Sequence, residues 1–174
     1  RYRPLQSSSS STVALFRRHE ITTLVTSCPI CLRSFRENYH LDGIEVLHHS
    51  EYIDRLIAEG RIGLKHSDLT YTYHDPCELG RGLGIYDAPR RVVTAVGRLV
   101  EASHNRKDAL CCGSSLANTV IDDGQQLRIA KRMTADLEAT GCDMIVTACP
   151  LCNKAVGRAA SRNVADIAEV VVKN

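Results

Sequence analysis

The sequence predicts an α/β protein with a parallel sheet, and three observations lead to this fold class. Short β-branched or apolar runs at residues 24–27, 69–73 and 144–147 alternate with longer stretches of helical period. Strands that alternate with helices are joined by crossovers and form parallel sheets. Part of the chain also occurs twice, because residues 24–31 resemble residues 145–152. With 174 residues, the chain can bury the core of one domain.

The first part of the chain contains a predicted lead-in and the shorter copy of the repeat. Residues 1–12 include five consecutive serines and are predicted to be a flexible connection, with regular structure beginning near Val13. Residues 13–66 follow, and their first predicted strand ends at the Cys-Pro-Ile-Cys sequence of residues 28–31. A helix that carries apolar and acidic residues comes after it.

Residues 67–174 are predicted to form a complete unit of strands and helices. The elements in order are a strand at 69–73, a glycine-rich turn at 80–84, a helix beginning at Asp87, a short strand near Ala109 and Leu110, a helix that begins at Asp122 or Asp123 and ends at Gly141, a strand at 144–147 and a helix beginning near Asn153. Pro89 fits the first turn of the first helix, whose apolar face is expected to continue to Leu99 and Val100. The glycine-rich turn lacks the spacing of a dinucleotide-binding loop.

Five cysteines of this second unit are expected to meet at one edge of the sheet: Cys77, Cys111, Cys112, Cys149 and Cys152. Each group follows the carboxyl end of a predicted strand, and ligands bind at that edge in open α/β sheets. Five thiolates are one too many for a tetrahedral zinc site, so the count favours an iron–sulfur cluster. A structural zinc held by four of the five is the alternative. A helix that starts just after the last cysteine would direct its positive end at an anionic cluster.

Composition and charge argue against several classes of function. The net charge of +2, the absence of Trp and the presence of only two Phe speak against a nucleic-acid surface. No apolar stretch approaches the ~20 residues of a membrane span, and no signal peptide is visible. Two Cys-x-x-Cys pairs and one adjacent pair among eight cysteines favour metal binding over disulfides. We therefore expect a reducing, cytoplasmic compartment, with any membrane association through a partner.

The repeat indicates that the first copy of the cysteine pattern is incomplete. Cys28 and Cys149 are equivalent and lie 121 residues apart. With this offset, the equivalents of Cys77 and of the adjacent Cys-Cys pair fall before residue 1. The chain is therefore either a fragment or contains a copy that has lost its other ligands. Cys28 and Cys31 are expected to stay empty, to bind zinc or to form a disulfide.

The second unit carries the motif of a known family. His-Asp-Pro-Cys-Glu-Leu-Gly-Arg at 74–81, Cys-Cys-Gly at 111–113 and Cys-Pro-Leu-Cys at 149–152 resemble the CCG (cysteine-rich) domain. This domain occurs in the B and D subunits of heterodisulfide reductases and in iron–sulfur subunits of other oxidoreductases, usually as two modules in tandem. The resemblance covers nearly all of the chain after the lead-in. It implies the tail of a first module at residues 13–66 and a complete second module at residues 67–174.

By this likeness, the complete module implies a [4Fe–4S] cluster of the non-cubane type and a redox function. The implied ligands are Cys77, Cys111, Cys112, Cys149 and Cys152, with Cys28 and Cys31 belonging to a second site. The chain contains no flavin, nicotinamide or ferredoxin motif. The resemblance therefore implies a flavin- or ferredoxin-type donor subunit or domain, and a disulfide or a quinone as acceptor. The alternative is a zinc-stabilised or metal-free docking domain of a redox complex.

Four polar residues near the cysteines allow a functional and a structural interpretation. His74 and Asp75 could deliver protons, yet the end of a strand and a turn before proline explain them more simply. Arg81 and Arg90 could balance the charge of a cluster or hold an anionic substrate. Most surface arginines do neither, so the structural interpretation is favoured.

The remaining candidates are interpreted as structural. His48 and His49 lie at the start of a helix in the first unit and are expected to be structural rather than ligands. Cys142 lacks a partner in the cysteine pattern and is expected to be a small buried residue. Ser114 and Ser115 stand where the family often has glycines. Their hydroxyls could donate hydrogen bonds to cluster sulfurs, but capping of the next helix is the commoner use.

Overall fold

The computed structural model describes residues 6–114 and 120–174, in which strands and helices alternate. The elements in chain order are α1 (Gln6–Arg18), β1 (Thr23–Thr26), α2 (Pro29–Asn38), β2 (Glu45–His48), α3 (His49–Ala58), β3 (Thr70–His74), a π-helical turn (Glu78–Gly82), α4 (Asp87–Val96), β4 (Arg98–Leu99), a 3-10 turn (Arg106–Asp108), α5 (Asp123–Glu138), β5 (Met144–Thr147), α6 (Pro150–Ala159), β6 (Asn163–Asp166) and α7 (Ile167–Val172). Among the described helices, none combines the length and the apolarity that a bilayer crossing requires.

All pairings between the described strands are parallel. β1 pairs with β2, and a four-stranded sheet has the order β4-β3-β5-β6. This arrangement confirms the predicted α/β class. In the larger sheet, His74 is paired with Thr147, and Thr147 is paired with Asp166. The carboxyl ends of three strands therefore lie at the same edge, and this edge positions the candidate site.

Helices cover both faces of the larger sheet. Val146 of β5 packs into a core that also contains Tyr71, Val92 and Ile167, so α4 and α7 lie on that face. The neighbouring Ile145 packs on the opposite face, in a second core that includes residues of α5 and α6. Successive residues of a strand point to opposite faces, and this alternation divides the two cores.

The two copies of the repeat have the same order of elements. β1–α2–β2–α3 in the first copy corresponds to β5–α6–β6–α7 in the second. Both final helices begin with a capping box, built from His48 and Glu51 in α3 and from Asp166 and Glu169 in α7. The copies differ at the first strand, because β5 has neighbours on both sides whereas β1 pairs only with β2 among the described strands.

Local sequence explains the boundaries of α5. The Asp122 carboxylate accepts a hydrogen bond from the Gln125 backbone N–H at 2.8 Å, and the Gln125 side chain accepts one from Asp122 at 3.3 Å. This reciprocal cap satisfies two N–H groups that a helix start leaves unpaired. Gly141 follows the helix with φ +71°, a left-handed conformation that suits glycine. The predicted start at Asp122 is confirmed.

Four expectations about secondary structure are wrong. α1 begins at Gln6 rather than near Val13 and includes the serine run, which fits the moderate helix propensity of serine. α4 ends at Val96, and Leu99 belongs to β4 instead of the helical face. No strand precedes the Cys-Cys pair, because residues 109–112 are irregular. α6 begins at Pro150 rather than near Asn153, since proline is favoured in the first turn.

Candidate functional site

The five thiols predicted to form one site lie in a continuous chain of contacts. Cys111 accepts hydrogen bonds from Cys112 and from Cys77. At the other end, Cys152 is in hydrogen-bond contact with Cys149, and its Sγ lies 3.3 Å from the Sγ of Cys112. The order of contacts is therefore Cys77, Cys111, Cys112, Cys152 and Cys149. Side chains separated by up to 75 positions in sequence thus meet in one place.

Two of the three cysteine groups are held by the ends of strands. Cys77 lies three residues beyond β3, after Pro76. Cys149 is the N-cap residue of α6, and Cys152 lies in the first turn of that helix. The positive end of the α6 dipole is consequently adjacent to both thiols. The pair Cys111 and Cys112 has no strand before it, which corrects the expectation that every group follows one.

Shared protons set the charge of the thiols in the absence of a metal. Hydrogen bonds from neighbouring thiols lower the pKa of Cys111 well below its usual value and that of Cys149 to about 7. Donation to Cys111 raises the pKa of Cys77 and of Cys112, and contacts with Cys112 and Cys149 raise that of Cys152. Full ionisation of all five would place several negative charges side by side. A cation or a cationic cluster core would stabilise them.

His74 joins this group, which the sequence interpretation had not favoured. One ring nitrogen of His74 and the sulfurs of Cys112 and Cys152 all lie within 4.8 Å of one another. The side chain is buried, and its Nε2 atom has no hydrogen-bond partner. Burial lowers the pKa of His74 to about 4, so the ring is neutral near pH 7. A buried, unpartnered ring nitrogen beside thiols is what a bound metal group would satisfy.

Arg90 is not the surface residue that the sequence interpretation assumed. Its side chain is 7% exposed and lies between the carboxylates of Asp75 and Glu101. These two carboxylates offset its charge, so it is not free to balance the charge of a cluster. Asp75 is likewise buried and paired, rather than only forming a turn. Arg81 is directed at backbone carbonyls of residues 107 and 109, not at an anion site.

The Cys-x-x-Cys pair of the first copy lies beside the site but outside the thiol chain. The Cys31 backbone N–H donates to Cys28 Sγ at 3.3 Å, and the hydrogen bond with Cys28 raises the pKa of Cys31 to about 11. Pro29 and Ile30, between the two cysteines, line the same cleft as Cys149. The cleft holds about 320 Å³ of empty space, including space open to solvent. Residues from both copies therefore surround the candidate site.

The other candidates have structural surroundings. His48 and His49 are buried; His48 contacts Ser50 at 2.8 Å, and His49 contacts Asp166 at 3.0 Å. Cys142 is fully buried beside α5, as expected, and lies outside the thiol chain. Ser114 lines the cleft, whereas Ser115 lies outside the described residues.

The donor set fits a soft metal group. Sulfur donors select zinc, copper(I) or iron–sulfur clusters, and a neutral imidazole is compatible with each of these. Five thiols and one imidazole at the end of a parallel sheet define a cysteine-rich α/β domain. Comparison with known proteins agrees, because the family model of the CCG cysteine-rich domain matches residues 71–157. The chain belongs to this family.

The relatives of the chain include oxidoreductases. An EtfAB:quinone oxidoreductase of Syntrophomonas wolfei is 32% identical and aligns with 94% of this chain and 26% of its own length. A dihydromethanophenazine:CoB–CoM heterodisulfide reductase polypeptide of Methanosarcina acetivorans is 29% identical over 87% of this chain and 39% of its own. An uncharacterised iron–sulfur protein of Methanococcus maripaludis is 29% identical over 84% of this chain and 29% of its own. The chain spans between 26% and 39% of the length of these relatives.

Proposed function

We propose that residues 67–174 form an iron–sulfur module that carries electrons within a heterodisulfide-reductase-like oxidoreductase. The continuous contact of five thiols is the observation that supports this most strongly. The proposed ligands are Cys77, Cys111, Cys112, Cys149 and Cys152. Their number exceeds what a tetrahedral zinc ion binds, and the relatives include proteins named as iron–sulfur proteins and oxidoreductases. We propose a [4Fe–4S] cluster of the non-cubane type.

Such a cluster, when bound, supplies reversible one-electron transfer. The chain itself contributes ligands, burial and fixed dipoles. Cys112, Cys149 and Cys152 are buried, which keeps water away from that side of the group. The first turn of α6 directs backbone N–H groups at the thiolates and stabilises their negative charge. The neutral His74 ring can donate one hydrogen bond to a cluster sulfur without adding charge.

A zinc-stabilised docking domain is the second candidate, and one observation favours it. His74, Cys112 and Cys152 present ligand atoms within 4.8 Å of one another, and Cys149 is in contact with Cys152. These side chains supply four nitrogen and sulfur donors, which is the number in a closed structural zinc site. In this candidate, Cys77 and Cys111 would remain free thiols.

The partners and the organisation of the whole protein are also proposals. We propose that residues 13–66 are the tail of a first module, with Cys28 and Cys31 belonging to a second metal site. The open edge of β1 supports this, because the equivalent strand β5 has a further neighbour. A flavin- or ferredoxin-type subunit or domain would supply electrons, and a disulfide or a quinone would accept them. We place the protein in the cytoplasm, with membrane association through a partner.

Anaerobic reconstitution tests the proposal. The chain is incubated with ferrous iron and sulfide under reducing conditions, and iron, sulfide and zinc are then quantified together with the visible spectrum. About four iron ions and a broad sulfur-to-iron absorption are expected per chain. Cys112→Ala is expected to lose them, whereas Cys142→Ala, which removes a buried thiol outside the chain of contacts, is expected to retain them. Stoichiometric zinc without iron would favour the docking domain instead.

A further inference from the structure

Cys111 and Cys112 need a support other than a strand. Residues 100–112 contain one regular element, the Arg106–Asp108 turn. Arg106 has φ +54°, which is a left-handed conformation that a non-glycine residue rarely adopts. Such a conformation persists only when surrounding contacts hold it. The contacts around this segment therefore show what fixes the two cysteines.

Arg90 holds the start of the segment. Its Nε and Nη2 groups donate to the Glu101 carboxylate at 2.6 and 3.0 Å, and Nη1 and Nη2 donate to Asp75 at 2.7 and 2.8 Å. Nη1 also donates to the Tyr86 carbonyl at 2.8 Å, so all five N–H donors of the guanidinium have acceptors. The Asp75 carboxylate additionally accepts a hydrogen bond from the backbone N–H of Arg106 at 2.7 Å. Arg90 and Asp75 together hold the segment at two points.

Arg81 holds the end of the segment. Its Nη1 group donates to the carbonyl of Lys107 at 3.2 Å and to that of Ala109 at 2.7 Å. Arg81 lies in the π-helical turn that starts directly after Cys77. Ala109 is two residues before Cys111, so these bonds link the two cysteine-bearing loops directly.

We propose that Arg81 and Arg90 are positioning residues, which fix the segment of residues 101–112 so that Cys111 and Cys112 face Cys77. Arg90 acts through Asp75, two residues before Cys77, and through Glu101. Their role is geometric, because the charge of Arg90 is offset by two carboxylates and Arg81 bonds to backbone oxygens. The proposal rests on the proposed metal function only in naming that site, since the geometry itself can be tested without metal.

The first experiment uses the full chain in its reduced, metal-free form. A bifunctional thiol reagent is added, and peptide mass spectrometry follows the rate at which Cys77 becomes bridged to Cys111. Arg81→Ala is expected to slow this bridging about tenfold, the factor expected from the loss of one or two hydrogen bonds. Arg91→Ala is the matched control, because Arg91 is also exposed and pairs with Asp54 at 2.6 Å, away from the cysteine loops. It is expected to leave the rate unchanged.

The second experiment measures the affinity for Cd²⁺ from its thiolate absorption. Arg81→Ala is expected to weaken binding about tenfold, and Arg81→Lys, which restores one donor, to recover part of the loss. Variants of Arg90 would leave two carboxylates without their partner and endanger the fold. Glu101→Ala tests that arm instead, since it frees the start of the segment and keeps the Asp75–Arg90 pair. It is expected to slow bridging as well.

The outcomes separate the two proposals. Bridging that is equally fast in wild type, Arg81→Ala and Glu101→Ala would overturn the positioning role. Equal slowing by Arg81→Ala and Arg91→Ala would also overturn it, because the effect would then be a general loss of stability. Failure of the wild-type chain to bind Cd²⁺ or iron would contradict the proposed function, while slower bridging in Arg81→Ala would still support the positioning role.

Discussion

Gly113, the glycine of the Cys-Cys-Gly motif, offers a sharp test of how the backbone forms the site. It has φ +79°, and its backbone N–H donates to the Cys111 sulfur at 3.4 Å. An added Cβ would lie 3.0 Å from the carbonyl oxygen of Gln126 and 3.2 Å from Ile129. Gly113→Ala therefore forces a side chain into a left-handed conformation and into the backbone of α5 at the same time.

The two costs can be estimated separately. A left-handed conformation costs alanine about 1 kcal/mol relative to glycine. Overpacking against a rigid helix adds about 1–3 kcal/mol. Gly141→Ala is the matched control, because Gly141 has φ +71° but nothing lies within 4 Å of its added Cβ. We expect Gly113→Ala to lower the free energy of unfolding by about 2–4 kcal/mol and Gly141→Ala by about 1 kcal/mol.

Urea unfolding of the metal-free chain, followed by circular dichroism, measures these losses. The difference between the two variants isolates the contact with α5 from the backbone conformation. The iron content after reconstitution provides a second measurement, which should fall in Gly113→Ala and stay unchanged in Gly141→Ala. Equal losses of stability in the two variants would show that the close approach to Gln126 and Ile129 is not a constraint, and would refute this explanation of the motif.

Three further predictions concern stability. Burial lowers the pKa of His48 from 6.5 to about 3, so the unfolded chain binds this proton first as the pH falls. The free energy of unfolding should therefore drop by about 2 kcal/mol between pH 7 and 5 from this residue, and His48→Gln should remove that part of the pH dependence in urea titrations. Leu32→Ala should cost about 2–5 kcal/mol in urea unfolding, because this fully buried side chain of α2 packs in the same core as the larger sheet. Asp122→Ala should lower the thermal midpoint and cost about 1 kcal/mol, because it removes the cap of α5.

Controls distinguish these effects from general damage. An unchanged pH dependence in His48→Gln would contradict the assignment to this ring. Leu15→Ala, at a side chain that is 50% exposed, should cost far less than Leu32→Ala. Asp122→Asn retains a capping side chain and should keep most of the stability that the alanine variant loses.

The sequence predicted those features that depend on local chemistry. The strand at 144–147 coincides with β5, because β-branched residues next to a Cys-Pro stop leave little choice. The capping residues of α5 were visible as an aspartate with a glutamine three positions later. The five cysteines could be selected from their spacing and from the repeat alone, and the structure brings them into contact. Whether they bind a cluster stays a prediction.

Features that depend on distant contacts were missed. The period of apolar residues continued past Gly97, so it could not show that the chain leaves the helix there and pairs Leu99 with β3. Nothing near Arg90 in sequence reveals that carboxylates 15 and 11 positions away enclose it. The end of a buried strand was a sufficient explanation for His74, and only the packed structure places its ring beside two sulfurs. Side-chain burial is a property of the assembled layers and not of one segment.

The open edge of β1 has a consequence for handling the protein. Backbone N–H and C=O groups at an unpaired edge can recruit a strand from another molecule. The larger sheet limits this at β4, which is two residues long, but the four residues of β1 include neither proline nor a charge. Val25 is 39% exposed there, whereas the equivalent Val146 is fully buried. The purified chain should therefore self-associate as its concentration rises, and a lysine at Val25 should keep it dispersed.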